Sequence, residues 1–145
     1  MQEDTKDGIQ MRNGGQRVLS NQILHKTAQD ITEITGFDCA IWDMQGLCLV
    51  RTSENLTEYE NQIQEFRDHK EEPEELVSEG TGMFRIYEDG DPLYILMLRG
   101  NAEGMGLAGR MGASQLRNLL YAYKERMDKN RFIQNLLLDN LLLVD

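Results

Sequence analysis

Four arginines stand inside or at the ends of apolar runs. Arg51 closes "LCLVR", Arg85 interrupts "MFRIY", Arg99 ends "YILMLR" and Arg110 lies within "GLAGRM". A guanidinium does not shed its proton, so beside apolar surface it must meet an anion or reach water. The chemistry this suits is recognition, because the planar fork grips a carboxylate or phosphate through two parallel hydrogen bonds. Against that stands the acid in the chain: 25 Asp and Glu face 15 Lys and Arg, so any one arginine can pair on a wet face instead. The expectation is that at least one of Arg85, Arg99 and Arg110 serves a pocket for a small carboxylate. Tyr94 and Ser53 would supply polar groups near its mouth, and Arg67 and His69 would complete it from a neighbouring helix.

Catalytic chemistry finds less footing. There is no GxSxG elbow and no glycine-rich loop ending in GK[ST]. His25 and His69 lie far apart and at no metal-ligand spacing to Cys39 or Cys48. The two thiols lack a CxxC partner and could fall on one face of a hairpin, but they read as small buried hydrophobes. Gly104-Met105-Gly106-Leu107-Ala108-Gly109 is a literal GxGxxG. In a dinucleotide-binding unit those glycines admit a pyrophosphate, and a parallel strand follows the helix. Here no strand follows, so the segment is better read as a glycine-rich strand that leaves room for a helix or ligand. No enzyme activity, metal or cofactor is expected.

The elements that must position the arginines follow from apolar periodicity. Residues 1–16 are polar and glycine-containing and are expected to form a disordered leader. Leu24, Ala28, Ile31 and Ile34 recur at helical spacing, which predicts a helix over 17–35 that stops at Gly36. Two apolar runs around Asp43-Met44-Gln45-Gly46 predict a hairpin, with strands at 38–43 and 47–52. Tyr59, Ile63 and Phe66 share one helical stripe, and Pro73 suits the first turn of a second short helix carrying Leu76 and Val77. Asp89-Gly90-Asp91 joins two further strands, 83–88 and 93–99. Alternation of small residues with Met105, Leu107, Gly109 and Met111 predicts a fifth strand over 105–111, followed by a long helix. The sum is an α+β fold: a PAS-like or GAF-like five-stranded antiparallel sheet, with helices on one face and flanking N- and C-terminal helices. The PAS-like domain is expected to span residues 17–113, with residues 114–145 forming a separate C-terminal helix.

That last helix shows apolar or seam residues at Leu116, Leu119, Tyr123, Arg126 or Met127, Asn130, Ile133 and Leu137. A repeat near 3.5 residues keeps one seam toward a partner and predicts a coiled-coil homodimer. The interface expected from it comprises Leu116, Tyr123, Asn130, Ile133 and Leu137. Asn130 would pair with its twin and set a parallel register. The chain then ends in "RFIQNLLLDNLLLVD", where Leu covers most of the helix circumference and suggests a junction to a further domain. Asp139 and Asn140 interrupt the run well short of the roughly 20 apolar residues of a membrane span. A net charge of -10 argues against direct contact with nucleic acid or anionic lipid. With no signal segment, the expected location is cytoplasmic.

"LSNQILHKTAQDITEITGFDCAIWDMQGLCLV", Leu19 to Val50, resembles the opening of the sugar-diacid-recognition family of bacterial transcription regulators, the CdaR-like members of the PucR group. "KNRFIQNLLLDNLLLVD", Lys129 to Asp145, is similar to the helical connector that leads in those proteins to a middle domain and a C-terminal helix-turn-helix. The resemblance implies an N-terminal ligand-sensing module that binds no DNA itself. It also implies ligands among sugar diacids and small hydroxy acids. Two other readings stand beside it: a dimerisation module with no ligand, its sheet face filled by Met83, Met97 and Met105, and a small nucleotide-using enzyme.

Overall fold

Two-residue turns in which both residues carry positive φ match the right-handed twist of antiparallel strands, which is why they close hairpins. Glu79 and Gly80 (φ 38° and 81°) and Asp89 and Gly90 (φ 52° and 85°) are two such turns. Around them the computed structural model, which describes residues 9–11, 17–54, 60–68, 74–101 and 103–143, builds its sheet. In chain order the elements are β1 (Ile9–Met11), β2 (Arg17–Leu19), α1 (Asn21–Thr35), β3 (Asp38–Asp43), β4 (Cys48–Arg51), α2 (Glu60–Asp68), β5 (Glu75–Ser78), β6 (Thr81–Glu88), β7 (Asp91–Arg99) and α3 (Met105–Leu143). β1 pairs with β2, and the main sheet runs β4-β3-β7-β6-β5, antiparallel at every step. The fold is α+β with a five-stranded antiparallel sheet.

The chain divides into two compact units, one over Asn21–Arg117 and the other built on the β1–β2 ribbon and α3 from Asn118 onward. In the first unit both faces of the sheet are covered. Ile63 and Phe66 of α2 lie on Ala40, Trp42, Met83, Ile95 and Met97, with Met44 and Cys48 at the margin. On the opposite face α1 packs on β3 and β4, and the first turns of α3 meet Phe84, Leu96 and Ile31 of α1. Double coverage explains why β6 and β7 are buried almost continuously rather than alternately.

Three expectations are corrected. The segment 105–111 is not a strand but the start of α3, and Gly104 (φ 77°) begins it by accepting the Ala108 N–H at 3.0 Å. Its small residues line the side facing the sheet. A Cβ at Gly109 would stand 2.0 Å from the Phe84 ring, and one at Gly112 would stand 2.9 Å from Leu96, so the glycines let the helix axis come close. The fifth strand is instead β5, where a short helix after Pro73 was expected. Glu79-Gly80 turns that segment back into β6 with Ser78 opposite Thr81, and a hairpin gives Leu76 and Val77 ladder bonds that an isolated single turn would lack. Finally, α1 starts at Asn21, not Arg17. Ser20 occupies the position before it, where a hydroxyl residue is favoured, and Arg17–Leu19 is strand β2. Of the expected disordered leader, Ile9–Met11 is therefore strand, and residues 1–8 and 12–16 lie outside the described residues.

Side-chain bonds lock the first hairpin. Asp43, buried at the end of β3, accepts the N–H groups of Gln45 and Leu47 on one carboxylate oxygen, each at 2.9 Å. Thr52 Oγ1 accepts from Cys39 N–H at 2.9 Å and from the Thr32 hydroxyl at 3.0 Å, which ties α1 to the β3–β4 pair.

Candidate functional site

Register places the polar chemistry of the α2 face on one line. Trp42 of β3 and Arg85 of β6 are both opposite Ile95 of the intervening β7. Neighbouring strands lie about 4.8 Å apart, so the Trp42 and Arg85 backbones are separated by about 10 Å across this row. The adjacent row is Ala40, Met97 and Met83, wholly apolar. A cationic group and an indole thus share one row, with Ile95 between them, in a cluster otherwise made of aliphatic, thioether and phenyl groups.

Arg85 is 4% exposed. Its guanidinium lies over the Phe66 ring, 4.1 Å from the centroid, and its Nη2 donates to the Phe66 carbonyl. That carbonyl belongs to the last turn of α2, where backbone acceptors lack intrahelical donors and the helix dipole favours a cation. Arg85 therefore caps α2 and seats it on the sheet. Trp42 is 2% exposed, and among the described residues its Nε1 is the buried side-chain nitrogen left without a hydrogen-bond partner. Burying such a donor unsatisfied costs about 1–3 kcal/mol. An acceptor oxygen reaching this nitrogen would satisfy it.

Among the described residues, the arginines and polar groups expected to converge are spread over several elements. Arg99 stands at the end of β7 beside Asp38 and Thr81 in the ladder, and it is half-buried. Tyr94 is fully buried in mid-strand, so it lies at no pocket mouth. Ser53 follows β4 and is half-buried. Arg67 is on α2, where its Nε donates to Asp68 at 3.2 Å and its guanidinium approaches Gly46 in the β3–β4 turn. His69 lies outside the described residues. Arg110 is on α3 rather than on a strand; it is exposed, bonds to the Gly106 carbonyl at 3.1 Å and pairs with Glu75 at 3.7 Å. It lines an open cleft of about 380 Å³ with Glu74, Glu75, Phe84, Arg85, Ala113 and Arg117. Arg85 also borders this cleft, but its guanidinium is turned to the other face, over Phe66 of α2. Two carboxylates and three arginines line it, and the Arg110–Glu75 pair ties β5 to α3 across it.

The thiols fall on opposite faces of the hairpin rather than sharing one. Cys48 is opposite Trp42 and packs at the edge of the α2 cluster, whereas Cys39 alternates to the other side of β3. Burial pushes the Cys39 thiol far above its usual range, reinforced by Asp38. Burial also raises Cys48, with Arg51 opposing through its charge and a hydrogen bond. Neither has the lowered pKa of a nucleophile. Among the described residues no group of three His, Cys, Asp or Glu is placed to hold a metal ion, and no helix is long and apolar enough to cross a membrane.

Along α3 the expected dimer seam divides. Leu116 is buried within the chain and presents no surface to a partner. Tyr123 is half-buried, with the Arg126 guanidinium 5.5 Å from its ring centroid. Asn130 is exposed, and Ile133 and Leu137 are 44% and 58% exposed beside Phe132, Leu136 and Leu138. Comparison with known proteins returns no matching family model and no matching curated protein.

The sequence reading missed Trp42. As the only tryptophan in an apolar strand it reads as core, and its address beside Arg85 depends on a register that strand composition does not reveal.

Proposed function

We propose that this chain is the cytoplasmic ligand-sensing and dimerisation domain of a transcription regulator, responsive to a small carboxylate such as a sugar diacid. In this reading it is not an enzyme and holds no cofactor. It meets DNA only through a further domain, and it works as a homodimer. The observation that carries it is α3. One helix has early turns that bury Met105, Ala108, Ala113 and Leu116, and later turns that leave Phe132, Ile133, Leu136, Leu137 and Leu138 open. Such a helix joins a folded sheet to a partner surface, and a shift at its base moves the seam at its far end. The resemblance of Leu19–Val50 and Lys129–Asp145 to CdaR-like regulators supports the same reading.

Light scattering on the chain as it stands is expected to give a dimer, and Ile133→Asp with Leu137→Asp a folded monomer. A double variant that stays dimeric removes the seam from the proposal. A thermal-shift screen over organic and sugar acids tests the sensing half, because a ligand specific to the folded state raises the midpoint. A second reading, a dimerisation module without ligand, is favoured by the burial of Met83, Met97 and Met105. The unsatisfied Trp42 N–H weighs against it, and a screen in which no acid raises the midpoint would decide for it.

A further inference from the structure

We propose that the ligand site lies beneath α2 on the row Trp42–Ile95–Arg85. One carboxylate of a hydroxy acid or diacid is held by the Arg85 fork, and a second acceptor oxygen of the same molecule receives the Trp42 indole N–H. The place of the site rests on this geometry, and the carboxylate class of its occupant rests on the sensing function proposed above.

Three observations converge on this row. First, Trp42 Nε1 is a buried donor with no acceptor, so an arriving oxygen gains a hydrogen bond without breaking one there. Second, Arg85 is a buried cation whose Nη2 donates to the neutral Phe66 carbonyl. A carboxylate is the stronger acceptor for a guanidinium, and it can accept two parallel bonds where the carbonyl accepts one. Third, the surrounding cluster includes Met83, Met97 and Met44, unbranched side chains that repack to vacate volume at low cost. Two anchors on one row, two strands apart, suit a ligand with oxygens at both ends better than a lone carboxylate.

The same geometry couples occupancy to structure. When a carboxylate takes the Arg85 fork, the Phe66 carbonyl loses the donor that caps α2, and the seat of α2 on the sheet changes with it. Arg85 is then both the anchor of the ligand and the release of the helix.

Trp42 is the single tryptophan, so an ¹⁵N-labelled sample shows one indole N–H signal and that signal reports the site directly. The full chain is titrated with acetate, tartrate and glucarate while the indole signal and the thermal midpoint are followed. The expected result is a saturable downfield movement of the indole proton together with a raised midpoint, for the diacids and not for acetate. Trp42→Phe is expected to weaken the calorimetric Kd about tenfold. Arg85→Lys, which keeps the charge but loses the fork, is expected to weaken it further while circular dichroism stays native. A raised midpoint with a stationary indole signal overturns this site and leaves sensing intact. A Trp42→Phe variant with unaltered Kd also overturns it. An unmoved midpoint and an unmoved indole with every acid overturn both the site and the carboxylate reading.

Discussion

The close approach of α3 to the sheet makes a prediction whose sign can be worked out beforehand. Gly109 sits in the helix interior, where Ala is ordinarily better by about 1 kcal/mol. Propensity alone therefore says that Gly109→Ala stabilises. The structure says the reverse. A Cβ at position 109 would stand 2.0 Å from Phe84 Cε1 and Cζ and 2.5 Å from Cε2. Comfortable carbon contacts are about 3.5–4.0 Å, so the ring or the helix must retreat by about 1.5 Å. Phe84 is buried and its ring is rigid, so no flexible end can swing aside. Overpacking of this kind costs about 1–3 kcal/mol, and the size of the overlap argues for the upper part of that range. Subtracting the propensity gain leaves a net loss of about 1–2 kcal/mol.

Two neighbouring glycines serve as internal controls. At Gly106 the nearest atom to a new Cβ is Arg110 Nη2 at 3.3 Å, the far end of a flexible side chain, so Gly106→Ala is expected to be neutral or slightly stabilising. At Gly112 the obstacles are Leu96 Cδ2 at 2.9 Å and Ile31 Cδ1 at 3.0 Å, terminal methyls that can give, so the loss is smaller than at 109. Urea unfolding followed by circular dichroism reads the order directly. Phe84→Leu placed together with Gly109→Ala should recover part of the loss, because the ring is the obstacle. Equal stability of the Gly106 and Gly109 variants, or strict additivity with Phe84→Leu, would refute the placement of α3 on β6.

Two further outcomes follow from the first hairpin. Asp43→Ala removes the acceptor for two backbone N–H groups of the β3–β4 turn and should cost about 1–3 kcal/mol in the same urea assay, whereas Asp43→Asn keeps an acceptor and should cost less. Cys39 should resist iodoacetamide in the native state while half-buried Cys48 reacts slowly, as read by mass spectrometry. Because burial raises both thiols, the unfolded chain ionises first. Stability should hold below about pH 9, decline as pH rises above it, and decline less in Cys39→Ala.

Much of the fold was legible where the local pattern and the tertiary demand agreed. The span 38–43 matches β3, and Asp89-Gly90 turns where expected, because apolar runs and turn residues there point to one structure. The reading failed where bulk and burial part company. In Met105–Met111 the large Leu107 and Met111 are exposed and the small Ala108 and Gly109 are buried, so an eye that follows large side chains sees a strand. Following the buried positions instead, Met105, Ala108, Gly109, Gly112, Ala113 and Leu116 recur at three and four residues, the period of a helix packed closely on its neighbour. Glu79-Gly80 was missed for another reason. A glutamate at positive φ is uncommon, so the pair lacks the hairpin signal that Asp89-Gly90 carries.

For the site, the informative feature was an arginine inside an apolar strand, and the uninformative one was which arginine. Arg85, Arg99 and Arg110 look alike in the sequence because each interrupts hydrophobic residues. Their fates differ because the fold sets different groups opposite each: a helix end before Arg85, ladder neighbours Asp38 and Thr81 beside Arg99, and Glu75 against Arg110. Within one strand, alternation tells which residues share a face, so Arg85 and Met83 could be paired by counting. Between strands it tells nothing. Trp42 and Arg85 become neighbours through Ile95 only when the hairpin of β6 with β7 and the long-range pairing of β3 with β7 have both chosen their registers. A one-residue slip in either pairing would send the indole and the guanidinium to opposite faces. The site therefore exists at the level of register, the level that a single sequence encodes least visibly.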